Sequence, residues 1–153
     1  MRYAATLIAV SDMERSKAFY RDLLGMEVTA DFGANVTLDN VLALQTVESW
    51  REFIGGRETG FRSNSGELYF ETDDLDGFLR RLEDFAVEYV HPPLTHGWGQ
   101  RVVRFYDPDG HIVEVGEDLT RVVRRFAEQG LTEEETAERM DVPLAFVREA
   151  LSR

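Results

Sequence analysis

At 153 residues with 43% hydrophobic character, the chain is long enough for one domain, alone or with an appendage, and too apolar for intrinsic disorder. The lack of cysteine excludes disulfides, a thiolate nucleophile and Cys-based zinc sites, and no apolar run approaches the ~18 residues of a membrane span. A net charge of −12 is a poor footprint for a polyanion, so neither nucleic acid nor membrane is expected as a partner. The same field favours cationic ligands or metal ions, besides keeping the surface soluble. With no signal-like N-terminus, a cytoplasmic location is expected.

Taken in order, residues 2–10 read as a buried strand. Ser11-Asp12-Met13-Glu14 fits a capping box, with Ser11 as the cap of a helix that runs to about Leu24 and stops at Gly25. Short strands follow at 27–30, 35–38 and 41–45, the last two joined by an Asp39-Asn40 turn, and 46–54 is suited to a short helix. The segment 55–66, GGRETGFRSNSG, is the best linker in the chain.

Beyond it the pattern begins again. Residues 67–72 form a strand, Asp73 or Asp74 a cap, and Leu75, Phe78, Leu82 and Phe85 a helical stripe. A strand at 87–90 and a loop over 91–99 lead to a final hairpin. A shift of 62 residues places Ile8 on Phe70, Asp12 on Asp74 and Val28 on Val90 without a gap. Two βαβββ modules in tandem are therefore expected, residues 1–54 and 67–117, in one domain of residues 1–117.

The hairpin, RVVRFYDPDGHIVEVGE from Arg101 to Glu117, turns at Asp107-Pro108-Asp109-Gly110. Its returning strand is apolar except for Glu114. Alternation puts Ile112, Glu114 and Gly116 on one face, with His111, Val113 and Val115 on the other. A carboxylate amid apolar strand residues costs too much to leave dry and unpaired, so it faces a wet cleft, a cation or a proton donor.

VSDMERSKAFYRDLLGMEV together with RFYDPDGHIVEVGE resembles the vicinal oxygen chelate superfamily of glyoxalase I, extradiol dioxygenases and bleomycin-binding proteins. The resemblance implies an α+β fold in which tandem βαβββ modules curl into an open eight-stranded cup, within one chain or swapped across a homodimer. It also implies metal ligands on the first and last strands of each module. Glu114 holds the last-strand position of module two, and Glu67 its first-strand position, where the family usually has His. The counterparts in module one are Ala5 and a residue near Leu44, both inert.

Alternation places Glu67, Tyr69 and Glu71 on one strand face, so Glu67 and Glu114 are expected to meet on the cup floor as catalytic or metal-binding groups. Three partners would satisfy them. Arg101 or Arg104 from the neighbouring strand could pair with Glu67, with or without a proton shared with Glu114. A divalent ion, Mn²⁺, Mg²⁺, Zn²⁺ or Ni²⁺, is the second: hard ions such as Mg²⁺ or Mn²⁺ accept an all-oxygen shell, whereas a zinc or iron enzyme would be expected to bring imidazole. A cationic ligand is the third. His96, next to Gly97, Trp98 and Gly99 in a loop able to swing, could act as an acid or a ligand; Trp98 could cap a planar ligand or fill a gap; Tyr69 could donate to a ligand or serve as wall. His111 reads as a packing residue.

Residues 118–153 lie outside the resemblance and read as a helical extension: one helix to Gln129, a second capped by Thr132, a third after Pro143. The last two resemble a helix-turn-helix, but from Leu131 on they carry six acids and three arginines, badly charged for DNA. Three functions are compatible with these residues. They are a small-molecule binding protein without a complete metal site, a divalent-metal lyase or isomerase resembling glyoxalase I, and a ligand-sensing regulator acting through its C-terminal helices.

Overall fold

The structure, a computed structural model, describes residues 1–152. The chain forms two units, residues 1–66 with 106–111 and residues 67–105 with 112–153. In the first, β1 (Thr6–Val10), α1 (Met13–Leu24), β2 (Val28–Asp31), β3 (Asn35–Leu38) and β4 (Leu42–Thr46) make an open sheet of order β1-β4-β3-β2, followed by α2 (Val47–Phe53). β1 runs parallel to β4, and the other pairs are antiparallel. Asp39 and Asn40, with φ of 49° and 59°, make the tight β3–β4 turn that their sequence implied. Val10, Tyr20, Leu23, Val36, Leu38 and Leu44 are fully buried between α1 and the sheet.

Helix α1 is capped one residue later than the sequence suggested. Asp12, not Ser11, is the N-cap and accepts from the Arg15 amide at 3.0 Å. Ser11 is engaged elsewhere: its amide and hydroxyl both donate to Asp109 in the turn of residues 106–111. The same turn anchors α1 through the buried Tyr20 hydroxyl, which donates to Asp107 at 2.7 Å. Burial, then the charge of Asp107, pushes the Tyr20 hydroxyl far above its ordinary pKa. His111 closes the turn, its Nδ1 2.9 Å from Asp107 and its ring edge-on to Phe61.

The second unit repeats the order: β5 (Glu67–Thr72), α3 (Leu75–Leu82), β6 (Tyr89–Thr95), β7 (Arg101–Tyr106) and β8 (Ile112–Glu117), in an open sheet β5-β8-β7-β6. β5 is parallel to β8, with Tyr69 opposite Glu114. Asp74 caps α3, accepting from the Gly77 amide at 2.8 Å, and Phe78 stacks on Phe105 with centroids 6.2 Å apart. The two modules thus share one βαβββ order, as the internal repeat required. β6 departs from expectation. What read as a loop from His91 is strand up to Thr95, passing through Pro92 and Pro93. An edge strand tolerates missing amide donors, and the pairing with β7 is irregular at those prolines.

After β8 come α4 (Leu119–Glu128), α5 (Glu133–Met140) and α6 (Leu144–Ser152). Thr132 and Glu135 form the reciprocal capping box of α5. Val122, Val123, Phe126, Met140, Val147 and Ala150 bury one another in a cluster of their own. The Phe126 ring also closes on Gly99, whose φ is +93° and where an added Cβ would lie 2.2 Å from the ring. Arg125 Nη2 donates to the Gly99 carbonyl at 2.5 Å. These contacts seat Gly99, within the 96–100 segment, against α4. Gly99→Ala should destabilise the protein by about 2–4 kcal/mol in urea unfolding, combining backbone strain with overpacking. Gly97→Ala, with open space around its Cα, should cost under ~0.5 kcal/mol; equal effects at the two glycines would contradict this packing.

Candidate functional site

The parallel register of β5 on β8 decides which side chains can meet. Glu67 pairs with Ile112 and Tyr69 with Glu114, so all four lie on one sheet face, and β7 adds Arg104. Arg104 Nε donates to Glu67 Oε2 at 2.8 Å and Nη2 reaches Glu67 Oε1 at 3.4 Å. Nη2 also pairs with Glu114 Oε2. The two glutamates do meet, and an arginine lies in contact with both. Of the two arginines considered for Glu67, Arg104 is the one in contact with it.

Arg104 Nη1 lies 3.2 Å from His91 Nε2. A guanidinium only donates, so His91 Nε2 is the acceptor and Nδ1 carries the proton, which it donates to the Pro92 carbonyl 2.8 Å away. This backbone anchor fixes the tautomer. The guanidinium is thereby spent on three neighbours.

The two carboxyls differ in burial: the Glu114 side chain is 5% exposed and that of Glu67 35%. Burial, reinforced by the hydrogen bond with Glu67, raises the Glu114 pKa to about 7. The Arg104 hydrogen bonds hold Glu67 below its ordinary value. Two carboxyls in contact cannot both ionise cheaply, so one proton stays with the deeper one.

Gln100, 4% exposed, organises the rest of the face. Its Nε2 donates to the Tyr69 hydroxyl and to the Glu117 carbonyl, both at 2.9 Å, and its Oε1 accepts from Trp98 Nε1 at 3.1 Å. Gly116 makes this possible, since an added Cβ there would stand 2.8 Å from Gln100 Nε2. Tyr69 in turn donates to Glu71 at 2.8 Å, and burial together with that bond raises its pKa to about 12. Its hydroxyl is satisfied on both sides. His96 stacks on Trp98 with centroids 4.1 Å apart, and burial, then the positive field of Arg104, lowers its pKa. Trp98 is 40% exposed, leaving a flat aromatic surface open to solvent.

Arg101 does not join this group. Three residues from Arg104, it emerges on the opposite face of β7, where it donates to Glu117 at 2.8 Å and to Asp76 at 2.9 Å. Gln100 and His91 are the constituents that the sequence did not single out. Gln100 stood in plain view next to Gly99, but no pattern marks a lone glutamine as buried.

The corresponding face of the first sheet is different. Register places Leu7 beside Ala43, so the counterpart of Glu114, expected near Leu44, is Ala43. With Ala5 as the counterpart of Glu67, the first module offers no donor at either position. Among the described residues, no three His, Asp or Glu side chains converge as a metal set. The residues therefore do not fit the metal that the vicinal oxygen chelate resemblance implied: two ligands are missing and the remaining pair is neutralised by a guanidinium.

A family model for the glyoxalase-like domain matches residues 3–120. A solved protein of unknown function from Agrobacterium tumefaciens str. C58 is 40% identical with a TM-score of 0.70, over 77% of this chain and 94% of that one. Lactoylglutathione lyase from Agrobacterium tumefaciens is 25% identical with a TM-score of 0.60, over 77% and 94% of the two chains. Glutathione transferase FosA from Serratia marcescens is 26% identical over 110 residues, 71% of this chain and 74% of that protein. The tandem βαβββ order agrees with these matches, and the chain belongs to the glyoxalase-like family of the vicinal oxygen chelate superfamily.

Proposed function

We propose that this family member binds a small organic molecule on the Glu114 face of the β5-β8-β7-β6 sheet, without a catalytic metal. The observation that carries the reading is Arg104. For a divalent ion to sit between Glu67 and Glu114, the protein would have to give up its charge-assisted bonds and hold two cations side by side. The exposed Trp98, backed by His96, suits a planar or aromatic portion of a ligand. Next to it, Glu114 as a neutral acid donates a hydrogen bond, and as an anion attracts a cation.

A second reading, metal-assisted lyase or isomerase chemistry, draws on the lactoylglutathione lyase likeness and on the adjacency of the two glutamates. Metal analysis separates the two. The full chain exposed to Mn²⁺, Mg²⁺, Zn²⁺ or Ni²⁺ and desalted should retain well under one ion per chain. Retention of about one ion, lost in Glu114→Ala, would overturn the proposal. In a calorimetric panel of planar amines and neutral aromatics, hits should weaken about tenfold in Trp98→Ala, the loss of one stacking contact. Hits indifferent to Trp98 would move the ligand elsewhere.

Protonation gives an independent test. Glu114 has a folded-state pKa of about 7 against an ordinary 4.5. Below the lower value both states hold the proton; above it the unfolded chain releases the proton first, so stability is lost as pH rises toward the folded value. Glu67, depressed by Arg104, acts in the opposite sense and in more acid solution. His96, depressed by burial, adds stability as pH rises toward its ordinary 6.5, so the wild-type curve alone is ambiguous. The difference between wild type and Glu114→Gln isolates the carboxyl. By urea unfolding, Glu114→Gln should gain on wild type by on the order of 2 kcal/mol between about pH 5 and about pH 8. A difference that does not change with pH would mean that Glu114 ionises normally.

A further inference from the structure

A second cleft lies in the same unit, on the side of β7 that carries Arg101. It encloses about 510 Å³ and is lined by Thr95, Arg101, Arg125, Phe126, Gln129 and Arg139, with Gly99 at its edge. Three arginines thus converge from β7, α4 and α5, and no carboxylate lines the walls. We propose that this cleft binds the phosphate group of a small molecule.

The charge balance supports it. Behind the wall, Glu117, with a side chain 8% exposed, accepts from Arg101 and from Arg125 at 2.8 and 2.7 Å. Asp76, on the exposed rim, takes a second bond from Arg101. Those two acids offset two of the three cations. Arg139 is left over: its guanidinium lies 4.9 Å above the Phe126 ring and makes no hydrogen bond or ion pair among the described residues. Arg125 keeps its Nε–H free of partners among them, having spent Nη1 on Glu117 and Nη2 on Gly99. Thr95 and Gln129 bring a hydroxyl and an amide to the same walls. In a chain of net charge −12, a cleft with a positive excess is a local reversal of sign.

The shape of the donor set selects the ligand. Each guanidinium is a planar fork, and a carboxylate saturates one fork. Forks arriving from three separate elements suit a tetrahedral dianion, which offers oxygen on every side. The site joins the family domain to its appended helices, since Thr95 and Arg101 belong to the one and Arg125 and Arg139 to the other. It does not involve Arg104 or Glu114, so its test is independent of the ligand proposed for that face.

The test is calorimetric titration of the full chain at constant ionic strength with inorganic phosphate, glucose 6-phosphate, glucose and succinate. Saturable binding of phosphate and of the ester, but not of glucose, is expected. The exposed substitution Arg139→Gln should weaken it about tenfold or more, the loss of about one charge-assisted bond, with partial recovery in Arg139→Lys. Arg51→Gln, an exposed arginine of the first unit, serves as the charge-matched control and should change nothing. An ester tighter than phosphate would identify an organic phosphate as the natural ligand, and equal affinities would identify the free ion. No saturable binding at millimolar phosphate, succinate binding as well as phosphate, or an equal loss in Arg51→Gln would overturn the proposal.

Discussion

One guanidinium sets the chemistry of the second sheet. Arg104 touches Glu67, Glu114 and His91 and so brings three titratable side chains to one point. Two carboxyls in contact repel when ionised. A cation beside them removes part of that cost, and a retained proton removes the rest. The split follows burial: Glu67 is open to water and forked to Arg104, so it ionises, while Glu114 is shut away and keeps its proton toward neutrality. The arrangement resembles a metal site in which the protein supplies its own cation. It differs in that four contacts of the guanidinium already go to Glu67, Glu114 and His91.

The same strand carries a second, unrelated charge system on its other side. Arg101 and Arg104 are separated by two valines, both fully buried, and alternation sends the two guanidiniums to opposite faces. On the Arg101 side, Glu117 is held below its ordinary pKa despite burial, because Arg125 and Arg101 donate to it. A buried carboxylate with two guanidiniums is costly to break by removing one partner. That pins α4, and with it Phe126 and the 96–100 segment, to the end of β8. The appended helices are therefore fastened electrostatically as well as through Phe126 packed on Gly99, and a site lined by Arg125 and Arg139 exists only because they are.

The sequence exposed most of this wherever the signal was periodic or local. The tandem βαβββ order was legible because helix stripes and turns recur at a fixed shift, and the Thr132 capping box because it is a four-residue pattern. The meeting of Glu67 with Glu114 followed from strand alternation plus the resemblance. What escaped depends on partners distant in sequence. Ser11 looked like a cap and lost that role to Asp12 because Asp109, 98 residues away, claimed its hydroxyl. Residues 91–99 read as a loop, yet an edge strand runs to Thr95 through Pro92 and Pro93. Arg101 and Arg104 could both reach Glu67 on paper, and only the phase of β7 excludes the first. The residue near Leu44 expected opposite Glu114 is Ala43, because pairing between β1 and β4 fixes the register.

That register also explains why one module carries the polar constellation. On the first sheet, the positions equivalent to Glu67 and Glu114 are alanines, and Gln45 lies two residues beyond Ala43 along β4. Gln45 is 3% exposed, accepts from Asn35 at 2.7 Å and donates to Ser49 at 2.6 Å. Its amide is hydrogen-bonded at both ends within its own unit. The second sheet is satisfied in a different way. There the bonds run through a titrating carboxyl, and the aromatic pair beside it is open to solvent. A hydrogen-bonded amide has one state near neutrality, whereas Glu114 has two, and only a group with two accessible states lets a bound molecule change the charge of the surface that holds it. The chemical capacity of this chain on its glyoxalase-like scaffold therefore rests on the β5-β8-β7-β6 sheet, with the first module supplying an inert counterpart of the same topology.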